Sequence, residues 1–231
     1  MKTNFLLLIL FLVGLYTRAQ DTQIIHAGDN FSDYFTYRFP SFSDASILLK
    51  NKTVTAAKMN FNTLLCKMQF IDSSGDTLVL SKPEEIDSIR MNGRSFFYNK
   101  GYFEIIAESD SVKLTVLRKI YIDVVVTGAL GMASHTANVG SFDSYLTTAG
   151  PKSLQLKNDL EVKKETVYSL FAQNGVVVGA SKSGFLKIFS NDKKRIENFL
   201  KSNKINFNSE TDLEKLFLFC VHPSGNLTSS R

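Results

Sequence analysis

The connections between the apolar segments of this chain are too short for parallel strand pairing. Between residues 57 and 126 short runs alternate apolar and polar residues, and reversal signals separate them: Asp72–Gly75, Asn92–Gly93, Asn99–Gly101 and Ser109–Asp110. Asn-Gly is the strongest of these signals, because both residues tolerate the positive φ of a type I′ turn. A parallel crossover needs about a dozen residues or more. Successive strands are therefore predicted to pair antiparallel.

The predicted fold class is mainly β (α+β), with an antiparallel β-meander over residues 45–126. About seven to nine strands would form a curled sheet or a barrel-like layer, because twisted strands bend a large sheet. Alternation places Met59 and Phe61 in the core and Asn60 and Asn62 in water. The charged pair Arg118–Lys119 interrupts the last apolar run and predicts a bend there.

The N-terminus has the pattern of a secretory signal peptide over residues 1–20. Lys2 supplies a positive charge, Phe5–Leu15 is an apolar run of 11 residues, and cleavage is expected after Ala19 or Gln20. The alternative is a buried N-terminal helix. No later run approaches the roughly 18 apolar residues of a membrane helix, so no transmembrane span is expected after signal removal. The expected location is periplasmic, outer-membrane-associated or secreted.

Charge and cysteine content limit the partners. The formal net charge is +5, and removal of Lys2 and Arg18 would leave +3. This excess is small and scattered, so nucleic acid is not an expected partner. An exported protein could pair Cys66 with Cys220. Cys66 in an inward strand series and Cys220 in a helical stripe would equally suit free buried thiols.

Two segments flank the predicted meander and carry open alternatives. Residues 21–44 form an aromatic N-terminal segment, which either packs on the sheet or presents an aromatic strip to a carbohydrate or peptide. Residues 127–150 form a loop with one formal charge, Asp143. This loop is either a flexible crossover or a ligand-binding or catalytic loop that contains His135.

Residues 151–222 are predicted to form a hairpin around Asn174–Gly175 and then the C-terminal helices. Ser183, Asn191 or Asp192, and Ser209 are the expected helix caps. The last helix has an apolar stripe and an outward charged face, which are respectively Leu213, Leu216, Phe217 and Cys220, and Glu210, Asp212, Glu214 and Lys215. The helices either cover the open face of the sheet or bind a partner. Residues 223–231 are expected to form a frayed tail.

Two blocks of sequence resemble small exported proteins of unknown function from Bacteroidota-type Gram-negative bacteria. The first block runs from Lys58 to Leu78, and the second from Phe185 to Phe217. The short signal ending in Ala19-Gln20 fits the same resemblance. The resemblance implies an envelope protein with no assigned activity and with no catalytic residues to transfer.

No motif for catalysis, for a cofactor or for a metal is recognisable. The three histidines are far apart, and Gly128–Gly131 lacks the Lys of a phosphate loop. Two hypotheses follow. The first is a non-enzymatic binding or structural module that holds a small ligand or an envelope protein. The second is a hydrolase-type enzyme around the 127–150 loop, with His135, Ser134 and Asp143 as the candidate catalytic residues.

Overall fold

The structure is a computed structural model that describes residues 21–26, 36–127, 133–136 and 159–222. The predicted signal peptide, most of the 127–150 loop and the predicted frayed tail lie outside these residues. The described residues form a 12-stranded antiparallel sheet with three helices near the C-terminus. The predicted fold class is confirmed.

The strands account for about half of the described chain. Their bounds are β1 Asp21–Ile25, β2 Ser43–Leu49, β3 Val54–Asn62, β4 Lys67–Ile71, β5 Thr77–Val79, β6 Ile86–Met91, β7 Arg94–Tyr98, β8 Tyr102–Glu108, β9 Val112–Thr127, β10 Ala133–Thr136, β11 Asp159–Ala172 and β12 Val177–Gly179. The helices are α1 Lys182–Ile188, α2 Lys193–Ser202 and α3 Glu210–Val221.

The strand order departs from a simple meander where β1 pairs with β11 and where β6 pairs with β2. The main path is β1-β11-β9-β8-β7-β6-β2-β3-β4-β5, with β10 on β9 and β12 on β11. Hairpins join β2 to β5 in turn, but β6 pairs with β2 and not with β5. Strands β3 to β5 therefore lie on one side of β2, and β6 and its successors lie on the other side. The Pro83–Glu85 turn belongs to the connection that leads from β5 past β2 to β6.

The two longest strands, β9 and β11, form a ribbon that carries the site described below. They pair in unbroken register from Asp159 opposite Val125 to Ala172 opposite Val112. The bend predicted at Arg118–Lys119 was wrong, because β9 passes through both residues. A charged residue can stand in the apolar pattern of a strand, and the strand can continue through it, when an opposite charge compensates that residue.

Curling of the sheet creates a concave face. Directly opposed residues share a face, and the cross-strand pairs Ile89–Phe96, Phe96–Glu104 and Glu104–Val116 follow this face across four strands. The curl brings the turn after β3 against the edge of β9, where the Ile120 N–H donates to the Thr63 carbonyl at 3.1 Å. The ends of the sheet remain unjoined, with β5 at one end and β1 at the other.

Three cores lie on this face, and the smallest consists of Ile25, Ile120, Ile122, Leu160 and Val162 on β1, β9 and β11. The first fills the curl of β2 to β8, and its buried members include Met59, Phe61, Ile89 and Phe96. The second lies where the helices cover β9 and β11: Val112, Leu114, Leu170, Phe185, Ile196, Leu213, Leu216, Phe217 and Cys220. The helices thus cover part of the sheet, and the stripe predicted for α3 is buried.

The helix starts differ in detail from the expected caps. Ser181, and not Ser183, caps α1 by accepting from the Gly184 N–H at 3.2 Å. Ser209 caps α3 as expected, with its hydroxyl accepting from the Asp212 N–H at 3.3 Å. Within the described residues no helix combines the length and apolar character needed to cross a membrane.

Both cysteines are free thiols. Cys66 does not belong to a strand, since β4 begins at Lys67. It sits in the preceding turn with φ 52°, and its thiol lies 3.5 Å from the Thr63 carbonyl. Cys220 is buried in the second core, and burial raises the pKa of its thiol to about 12.

Candidate functional site

The site begins with the segment that precedes β2, which lies along the last residues of β3. The Thr63 N–H donates to the Thr36 carbonyl at 2.7 Å, and the Arg38 N–H donates to the Phe61 carbonyl at 2.9 Å. Tyr37 and Asn62 form an antiparallel bridge. This backbone pairing fixes Arg38 beside the concave face.

Buried side-chain amides also hold the segment that precedes β2 in place. The Asn60 side chain donates to the Phe39 carbonyl at 2.8 Å and accepts from the Phe39 N–H at 3.2 Å. Gln69 accepts from both the Tyr37 hydroxyl and the Asn62 amide, at 2.9 and 3.0 Å. The expectation that Asn60 and Asn62 face water was wrong, since both are buried. Burial is tolerated because these polar groups are hydrogen-bonded.

Five charged residues meet where the first and second cores join, and we call them the seam cluster: Arg38, Arg94, Glu104, Arg118 and Glu210. Glu104 is at the centre, and only 3% of its side chain is exposed. Arg38 donates to both of its oxygens, at 2.9 and 3.2 Å, and Arg118 donates at 2.7 Å. The Arg94 Nε lies 3.5 Å from the other Glu104 oxygen.

The outer carboxylate of the seam cluster comes from a helix. Glu210, the first residue of α3, accepts from Arg118 at 2.5 Å and from Arg94 at 3.5 Å. The sequence placed Glu210 on the outward charged face, and that prediction was wrong. Glu210 precedes Leu213 by three residues, and this spacing places the two side chains on the same side of a helix, beside the buried stripe.

The charges of the seam cluster compensate one another, because each has partners of the opposite sign. A buried carboxylate is tolerated only with close donors, and Glu104 has three guanidinium neighbours. The hydrogen bond to Glu104 raises the pKa of Arg38 above its ordinary value. With three cations and two anions, the cluster carries one surplus positive charge.

An open cleft of about 330 Å³ borders the seam cluster, between the 37–40 segment and the β9–β11 ribbon. It is lined by the hydroxyl residues Tyr37, Thr63 and Thr166, the apolar residues Phe39, Pro40 and Ile120, and the charged residues Arg38, Arg118, Lys119, Lys164 and Glu165.

The strand register decides which of these charges face the cleft. Arg118 is directly opposite Thr166, and Ile120 is directly opposite Lys164, so these four residues share the concave face. Lys119 and Glu165 are opposite each other in the intervening row and point to the other face. The charged groups on the cleft side are therefore three cations, Arg38, Arg118 and Lys164.

Of the three residues proposed from sequence for catalysis, the structure describes two, and neither lines the cleft. Ser134 and His135 belong to β10, where they are opposite Val126 and Val125 of β9, and Asp143 lies outside the described residues. Asp159 of β11 is also opposite Val125, and its carboxylate lies 3.2 Å from the His26 imidazole. Backbone register thus places His135 and Asp159 in one cross-strand row, about 10 Å apart at two strand spacings.

Metal-binding groups are not gathered in the part of the chain that the structure describes. No three side chains among its His, Cys, Asp and Glu residues are placed to hold a metal ion. Comparison with known proteins gives no assignment: no protein family, no curated protein and no solved structure matches this chain.

Sequence reasoning missed the cleft because its parts are distant in the chain. Arg38, Arg118 and Lys164 come from three elements that only the curl of the sheet brings together. One signal was present, since Arg118 interrupts the apolar face of a strand. A charge in such a position indicates a buried partner or a site.

Proposed function

We propose that this chain is an exported envelope protein that binds a ligand in the cleft and carries out no reaction on it. Two sequence features support export: the apolar run Phe5–Leu15 after Lys2, and the resemblance to exported proteins. The cleft supports binding. Its volume lies at the lower end of the range for small-molecule sites.

The observation that carries the proposal is that both walls of the cleft are held in place by the fold. On one side, Asn60 fixes the Phe39 backbone and Glu104 fixes the Arg38 guanidinium. On the other side, the wall is the continuous β9–β11 ladder. A cleft with fixed walls binds without the cost of ordering its own residues.

The test is native mass spectrometry of the full chain purified from the envelope of a Gram-negative host. Thr166 lines the cleft and is exposed, so Thr166→Trp would fill the space without disturbing a core. Thr55→Trp is the matched control, because Thr55 is an exposed strand residue that does not line the cleft. We expect a bound small molecule in the wild type and in Thr55→Trp, and loss of that molecule in Thr166→Trp.

Two results would contradict the proposal. The first is a wild-type protein that carries no bound small molecule and whose melting temperature does not rise when envelope extract is added. The second is conversion of the bound molecule to a product during incubation, which would favour the hydrolase-type alternative.

A further inference from the structure

The guanidinium groups beside the cleft retain donors that the seam cluster does not use. Arginine has five N–H groups. Arg118 donates one each from Nη1 and Nη2, to Glu104 and Glu210. Arg38 donates two, both to Glu104. Each arginine therefore keeps three N–H groups without an acceptor among the described residues.

These arginines are fixed but not fully enclosed. The exposed fraction of the side chain is 24% for Arg38 and 22% for Arg118. Glu104 fixes both guanidinium planes, so little side-chain entropy would be lost when an oxyanion accepts from them.

Positive charge is in excess around this side of the ribbon. The seam cluster supplies three cations, Arg38, Arg94 and Arg118, against two anions, Glu104 and Glu210. Lys164 adds a cation on the concave face, and the register of β1 places the acidic residue Asp21 opposite it. The surplus is therefore one positive charge, at a site that is partly desolvated. An anionic group in the cleft would be favoured, whereas a cation would be repelled.

The remaining walls of the cleft are apolar. Phe39, Pro40 and Ile120 line the same cleft, and Ile120 is buried. An inorganic anion would leave this apolar surface uncovered. A ligand with a short apolar body would cover it and gain from its removal from water.

We infer that the cleft takes a small organic oxyanion, with an acid head group between Arg118 and Lys164 and an apolar body against Phe39, Pro40 and Ile120. This inference rests on the proposed function and names the ligand class. Carboxylate and phosphate head groups share the required chemistry, since guanidinium forms paired hydrogen bonds with either one.

Calorimetric titration with octanoate, octyl phosphate and 1-octanol tests the inference. The three probes have the same apolar body and differ in the head group. At least one acid is expected to bind with one-to-one stoichiometry about tenfold or more tighter than octanol. Whichever of the two acids binds more tightly identifies the preferred head group, carboxylate or phosphate. High salt is expected to weaken acid binding and to leave octanol binding unchanged.

Matched lysine variants locate the charge that matters. Lys164→Gln is expected to weaken acid binding about fivefold or more, because it removes one of the charged contacts. Lys163→Gln makes the same change of net charge one residue away, on the opposite face of β11. Acid binding to that control should equal that of the wild type.

Three outcomes would overturn the inference. They are octanol binding as tightly as the acids, equal losses in Lys163→Gln and Lys164→Gln, and no binding of any probe. If octanol binds and Thr166→Trp abolishes that binding, the cleft still binds a ligand, and the proposed function is not contradicted. Failure of the proposed function itself would be seen separately, as a purified protein without bound mass.

Discussion

The Arg38 guanidinium donates two hydrogen bonds to the carboxylate of Glu104, a residue 66 positions later in the chain. This pair joins the segment before β2 to the middle of β8. It also places a fixed cation at the edge of the cleft. The fold and the proposed binding site therefore depend on the same contact.

Removal of the Glu104 charge should destabilise the protein strongly. Glu104→Gln keeps the shape of the side chain but leaves three guanidinium groups without their shared carboxylate. We expect a loss of about 2–4 kcal/mol in the free energy of unfolding, measured with urea. The control is Glu108→Gln on the same strand, whose side chain is half exposed and pairs with Lys113. That variant should lose less than about 0.5 kcal/mol, and equal losses would contradict a central role for Glu104.

Glu210 should anchor the start of α3 to the sheet. Glu210→Gln removes the carboxylate that Arg94 and Arg118 contact, and it also removes a favourable charge from the first helical turn. The helix-dipole effect alone is worth about 0.3–1 kcal/mol, so we expect a total loss of about 1–2 kcal/mol. Amide exchange in the first turn of α3 should become faster. Glu214→Gln lies in the same helix without a contact in the seam cluster and serves as the control. If the two variants exchange equally fast, the anchoring role is wrong.

Gly184 of α1 should not tolerate a side chain. A Cβ atom at this position would lie 2.0 Å from the Gly179 carbonyl oxygen, so the helix and β12 would have to separate. Gly184→Ala should therefore cost about 3 kcal/mol or more, although alanine normally stabilises a helix relative to glycine. A Cβ atom at Gly179 would meet nothing within 4 Å. Gly179→Ala should fold with nearly the stability of the wild type, and thermal unfolding of both variants checks the contrast.

The pKa of Cys220 predicts a loss of stability at alkaline pH. Burial raises the pKa of this thiol from 9.0 to about 12. The folded state then holds the proton more tightly than the unfolded state. The stabilisation is fully present below about pH 9 and declines as the pH rises toward 12.

Urea unfolding of the wild type and of Cys220→Ala across this pH range isolates the effect. Their difference in free energy should be constant below pH 9 and shrink above it. Cys66→Ala is the control, with a smaller change expected, because Cys66 is only half-buried and the nearby Lys119 and Lys67 oppose the rise that burial causes in the pKa of its thiol. A difference that stays constant through the alkaline range would show that the Cys220 thiol titrates normally.

The sheet was predictable from sequence because its signals are local. Asn92–Gly93 turns the chain between β6 and β7, and Asn174–Gly175 turns it between β11 and β12, as alternation and turn chemistry predict. The pairing of β6 with β2 was not predictable, because a turn specifies its own hairpin and not the strand that arrives later.

The site could not be predicted, since it depends on polar residues that tertiary contacts bury. Asn60 and Asn62 alternate as outward residues should, yet the 36–41 segment covers them. Glu210 was predicted to lie on the outward charged face of α3, yet it contacts Arg118. Local patterns identify which residues are polar, and only the folded chain determines which of them face one another.

The most direct test of the binding site is nuclear magnetic resonance of the arginine side chains during a titration with octanoate. Saturable shifts are expected for the Nε–H signals of Arg38 and Arg118, with the Arg195 signal unchanged as the internal control. Arg195 does not line the cleft, and it donates to the carbonyls at the end of α3. Constant Arg38 and Arg118 signals, with binding detected elsewhere on the protein, would contradict ligand binding in the cleft.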